Sequence, residues 1–102
     1  MKRLIMKTYN EIKLAQELIR LPTVKTEDKG IMKLLSKKLS AIGFRCKIIK
    51  SKSFSSKPAL NLFAKIGNSR PHISFLGHTD VVSNLNNWKI SPFKGVVKKG
   101  YL

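Results

Sequence analysis

Ile73-Ser74-Phe75-Leu76-Gly77-His78-Thr79-Asp80-Val81-Val82 is the stretch that decides how this chain folds. Ile73 to Leu76 is a short apolar run closed by a glycine, the pattern of a strand in the middle of a sheet packed on both sides. Beyond Gly77, His78 and Asp80 stand two positions apart, so in extended chain they face the same side. They fall just past the C-terminal end of that strand, where open α/β sheets place their ligands. A neutral histidine binds zinc through one ring nitrogen while the other donates to a carboxylate, which fixes the tautomer. The spacing alone leaves two readings open. His78 is a metal ligand with Asp80 as its orienting carboxylate, or Asp80 caps a turn in an ordinary loop and His78 is a polar surface residue.

Upstream, two helices are expected. The first covers Asn10 to Arg20, with Asn10 or Thr8 as N-cap and Glu11 in the first turn, where the helix dipole favours it. Ile12, Ala15, Leu18 and Ile19 make its apolar stripe, and Pro22 stops it. The second is expected to start at Thr26, with Glu27 and Asp28 in its first turn. Ile31, Leu34, Leu35, Leu39 and Ile42 form its buried face, and Gly43 ends it in the left-handed conformation. Phe44 to Ile49 alternates apolar and polar residues and predicts a half-buried strand. Lys50 to Lys57 reads as a Ser/Lys linker, and Leu60 to Ile66 as a second strand. Gly67-Asn68-Ser69 is expected to turn the chain into Ile73–Leu76. Downstream, Ser83 to Ser91 is polar and Asn-rich around Trp88, and Lys98-Lys99-Gly100 predicts a hairpin turn before Tyr101-Leu102. The fold class is α/β: two helices packed on a mixed sheet, incomplete because the sheet keeps open edges and one helical layer.

Composition narrows the function classes. The chain has 102 residues and 42% hydrophobic content, which fits one small globular domain and excludes wholesale disorder. No apolar run reaches the length of a membrane span, and the basic start Met1–Lys7 has too short an apolar stretch for a signal peptide. The single Cys46 makes no internal disulfide and fits a cytoplasmic protein. Lys and Arg total 21 against 5 acids, a formal charge of +16. A small nucleic-acid or anion-binding protein is the reading from another class that this charge supports. Only Arg3, Arg20, Arg45 and Arg70 are arginines, however, and arginine supplies most bidentate phosphate and base contacts. The charge is therefore read as lysine spread over solvated faces, with no specific nucleic-acid partner and no membrane. After Asp28 the only acid is Asp80, as expected of a chain whose acids lie elsewhere.

Ligand counting limits the metal reading. A catalytic zinc takes three protein ligands and an open position, and a two-metal site takes more. This chain offers two histidines, His72 and His78, and the relevant Asp80. His72, following Pro71, reads as structural, Cys46 as a small core residue, and Trp88 as closing a small apolar cluster.

The segments around the histidine, taken in order, resemble a known family. Leu14-Ala15-Gln16-Glu17-Leu18-Ile19-Arg20-Leu21-Pro22-Thr23-Val24, Leu39-Ser40-Ala41-Ile42-Gly43-Phe44, Asn61-Leu62-Phe63-Ala64, the Pro71–Val82 block, Trp88 with Ser91-Pro92-Phe93, and Gly100-Tyr101-Leu102 carry the likeness. The chain resembles the N-terminal part of the succinyl-diaminopimelate desuccinylases, within the co-catalytic di-zinc aminoacylase and carboxypeptidase superfamily. Gly77-His78-Thr79-Asp80-Val81-Val82 is the most specific part. Sister amidohydrolases of the acetylornithine deacetylase or peptidase type share a His-x-Asp block and remain the alternative. The resemblance implies that His78 is a zinc ligand and that Asp80 orients it. It implies two zinc ions per full-length enzyme, with cobalt able to replace them, a homodimer, and a small-molecule substrate. The implied reaction is metal-assisted hydrolysis of N-succinyl-LL-2,6-diaminopimelate to succinate and LL-diaminopimelate, in lysine and peptidoglycan biosynthesis. Residues 1–102 are then expected to be the N-terminal part of a catalytic domain. The bridging Asp, the general-base Glu, the remaining ligands and the dimerisation domain are expected outside this chain. It is expected to be inactive alone; a split enzyme, in which a complementing C-terminal chain carries the missing ligands, is a further alternative. Ser83 departs from the family's usual proline after Val-Val, which alters the loop and not the ligands.

Overall fold

The computed structural model describes residues 10–52, 57–83 and 86–102. The chain divides into two compact units, Met1–Leu21 with Leu85–Leu102, and Pro22–Asn84.

In the first unit, α1 runs Glu11–Ile19, close to the expected span. The Asn10 side chain accepts a hydrogen bond from the Lys13 backbone N–H, satisfying one of the donors a helix start leaves open. Ala15, Leu18 and Ile19 are half-buried, while Ile12 stays 51% exposed. The returning segment is held against α1 by Gln16, whose Nε2 donates to the Gly95 carbonyl at 2.7 Å, and by Arg20, whose Nε donates to the Lys94 carbonyl at 3.4 Å. The expected turn before Tyr101 is present. Lys99 and Gly100 both take positive φ, 51° and 82°, and Lys98 and Tyr101 exchange two backbone hydrogen bonds across it. Trp88 is 62% exposed and, among the described residues, closes no apolar cluster, a correction to its expected role.

The second unit is built on α2, Ile31–Ser40, packed on a hairpin of β1, Arg45–Ser51, and β2, Ala59–Lys65. The hairpin is antiparallel, in register from Arg45 opposite Lys65 to Ser51 opposite Ala59. Two expectations need correction here. The second helix starts at Ile31 and not at Thr26, because Lys25, Thr26 and Lys29 take positive φ and fold the segment into turns. Asp28 caps it from outside: its two carboxylate oxygens accept from the Gly30 and Met32 backbone N–H groups at 2.9 and 3.2 Å. Glu27 pairs with Lys29 and, at 3.7 Å, with Lys57; the Lys29 ammonium beside it holds its carboxyl below the ordinary glutamate range. The C-terminal end follows the expectation, with Gly43 at φ 99° and the Phe44 N–H returning to the Leu39 carbonyl at 3.1 Å, the six-to-one bond of a glycine-closed helix.

The larger correction concerns the sheet. The expected mixed sheet is a two-stranded antiparallel hairpin plus one parallel bridge, Val24 with Val81. Ile73 to Leu76 forms no strand, and among the described residues no backbone hydrogen bond reaches it. Ile73, Phe75 and Leu76 are 82%, 96% and 102% exposed. An apolar run with this pattern becomes a central strand only when a neighbour on each side satisfies its backbone groups. Among the described residues Ile31 is the sole buried hydrophobic side chain and Thr23 the sole buried polar one, each 3% exposed. No described helix is long and apolar enough to cross a membrane.

Candidate functional site

His78 and Asp80 lie in the extended segment of the second unit that follows the apolar run. Among the described residues, this segment is held from one side. The Val81 N–H donates to the Thr23 carbonyl at 3.0 Å, and the Lys25 N–H donates to the Val81 carbonyl at 3.3 Å. The Thr23 hydroxyl donates to the Thr79 carbonyl at 2.5 Å. Thr79 is half-buried, whereas His78 and Asp80 on either side of it are exposed, as alternation in extended chain requires.

The two site residues meet. His78 Nδ1 lies 3.1 Å from Asp80 Oδ1 and 3.1 Å from the Asp80 carbonyl oxygen, so an Nδ1–H donates to both. That tautomer leaves Nε2 with a free lone pair on a ring whose side chain is 82% exposed. This is the arrangement in which a carboxylate orients a metal-binding imidazole. The residues fit one ligand of a zinc site together with its orienting group. They do not fit a closed site: among the described residues no group of three His, Cys, Asp or Glu comes together. His72 is exposed and stands apart from the pair, and Cys46 is half-buried on β1 with its thiol 3.9 Å from the Phe44 carbonyl oxygen.

Sequence reasoning missed Thr23. It lies 56 residues from Thr79, and one threonine between Pro22 and Val24 has no spacing to mark it. Among the described arginines, Arg20 Nε donates to the Lys94 carbonyl and an Arg45 guanidinium nitrogen to the Asn68 side chain.

Comparison with known proteins bears out the resemblance. The chain is 52% identical over 99 residues to the succinyl-diaminopimelate desuccinylase of Pelagibacter ubique, a match covering 95% of this chain and 26% of that enzyme. It is 35% identical over 96 residues to the enzyme of the same name from Parvibaculum lavamentivorans, covering 92% of this chain and 24% of the relative. The Bradyrhizobium diazoefficiens enzyme matches at 39% over 93 residues, 89% of this chain and 24% of the relative. No family model matches the chain. The chain spans about a quarter of the length of these curated relatives. Over nearly its whole length, the chain matches part of succinyl-diaminopimelate desuccinylase.

Proposed function

We propose that this chain is the N-terminal part of the catalytic domain of a di-zinc succinyl-diaminopimelate desuccinylase and supplies one corner of its metal centre. The observation that carries the reading is the His78–Asp80 pair, 3.1 Å apart, with Nε2 free, inside a stretch that aligns with desuccinylases. His78 is the zinc ligand, and Asp80 holds its ring and its tautomer. Zinc, when bound in the assembled enzyme, supplies the Lewis acid and the activated water for hydrolysis of the succinyl amide. The products are succinate and LL-diaminopimelate, made in the cytoplasm, where the single Cys46 stays reduced.

The chain acts with polypeptide that carries the other ligands and the catalytic base, corresponding to the remaining three quarters of the relatives. Support comes from the three exposed apolar side chains of Ile73, Phe75 and Leu76, an unpaired segment with the composition of a covered strand. A chimera tests the function: the residues of this chain replace the matched stretch of the Pelagibacter ubique enzyme. With zinc, the chimera hydrolyses N-succinyl-LL-diaminopimelate, and the His78→Ala chimera loses activity by at least ~100-fold, as expected for a lost metal ligand. A folded, zinc-loaded chimera without activity, or one indifferent to His78→Ala, rejects the proposal.

A further inference from the structure

Thr23 is among the two most buried side chains described in this chain, and it is polar. A buried hydroxyl costs free energy unless it is hydrogen-bonded. Its one acceptor here is the carbonyl of Thr79, the residue between His78 and Asp80, at 2.5 Å. The parallel bridge adds two backbone bonds, from Val81 N–H to Thr23 and from Lys25 N–H to Val81. All three bonds fall on positions 79 and 81 of the segment. Positions 78 and 80 are left on the open side, where the imidazole and the carboxylate face each other. On its other flank the segment continues into Ile73–Leu76, which no backbone bond holds among the described residues.

We propose that Thr23 is a positioning residue: its hydroxyl latches the Thr79 carbonyl and so keeps the His78 imidazole against Asp80 with Nε2 presented for metal. The zinc side of this role rests on the reading of His78 as a ligand. The latch itself rests only on the three bonds. A hydroxyl is required and its methyl is not, so Thr23→Ser retains the latch. Thr23→Val keeps the shape and removes the donor.

The test is nitrogen NMR of the histidine rings in the 102-residue chain at pH 8, with exposed His72 as internal reference and zinc ion alone as probe. In wild type and Thr23→Ser, His78 holds the Nδ1–H tautomer, and added zinc shifts Nε2. In Thr23→Val, the tautomer mixture of His78 moves toward that of His72. Zinc binding at His78 weakens about tenfold, the lower end of what losing an orienting group costs in metal affinity. Cross-strand contacts between β1 and β2 persist. A Thr23→Val chain with the wild-type ring state overturns the proposal. Loss of the β1–β2 contacts as well assigns Thr23 to the fold at large and overturns it too. If the ring state follows Thr23 but zinc leaves wild-type His78 untouched, the latch stands and the zinc reading fails.

Discussion

At the scale of the residue, Gly95 shows how a backbone position can be dictated by what lies against it. Its φ is +60°, a conformation that costs an L-residue with a Cβ about 1–2 kcal/mol. A Cβ there would stand 3.2 Å from the Gln16 carbonyl oxygen and 3.5 Å from Arg20 Nε. The same residue accepts the Gln16 side-chain bond through its own carbonyl. Gly95→Ala therefore pushes the 94–95 segment off α1 and loosens both side-chain bonds. The expected cost is ~1–2 kcal/mol to the first unit, read as faster hydrogen exchange of the α1 amides. The β1–β2 amides, in the other unit, keep their protection. That His78 and Asp80 meet was legible in their spacing, because two positions in extended chain share a face, whereas their role as ligand and orienting group came only from the resemblance. Thr23 was not legible, because its partner is distant in sequence and hydroxyls are common.

At the scale of the element, Asp28 decides where α2 begins. Its carboxylate accepts two backbone N–H groups, from Gly30 and Met32, that the start of the helix would otherwise leave open. Asp28→Ala is expected to destabilise the helix start by about 1 kcal/mol, with Asp28→Asn recovering only part of it, because the amide keeps one of the two accepting oxygens. Helical circular dichroism together with amide exchange at Ile31–Leu34 measures the difference. The sequence pattern located α1, the end of α2, both strands of the hairpin and the Lys99-Gly100 turn, since each of these is fixed by contacts close along the chain. It placed the start of α2 five residues early because Thr26 and Glu27 also make an acceptable helix start. Positive φ at Lys25, Thr26 and Lys29 turns that segment away. It read Ile73–Leu76 as a central strand because composition reports what a segment suits. Whether the segment pairs depends on neighbours that the described residues do not supply.

At the scale of the whole molecule, an apolar segment and a lopsided charge act against each other. Covering a side chain such as Ile, Phe or Leu is worth about 1.5–3 kcal/mol, so Ile73, Phe75 and Leu76 together offer roughly 4.5–9 kcal/mol to whatever covers them. That is comparable to the whole stability of a small domain. A second copy of the chain is poorly suited to collect it, because two chains of formal charge +16 repel. Neutral or acidic polypeptide meets no such barrier. The repulsion is long-range and the apolar contact is not, so salt separates them: the Debye length is ~20–30 Å near 0.01–0.02 M and about 3 Å at 1 M. The isolated chain is therefore expected to sediment as a monomer at low salt and to associate as salt rises. Phe75→Ser, at a side chain 96% exposed and touching little, is expected to leave α2 and the hairpin within about 0.5 kcal/mol of wild type. It should also abolish the salt-induced association. Sedimentation velocity of the two chains across a salt series distinguishes this from charge-driven behaviour, in which association weakens with salt and Phe75→Ser matches wild type.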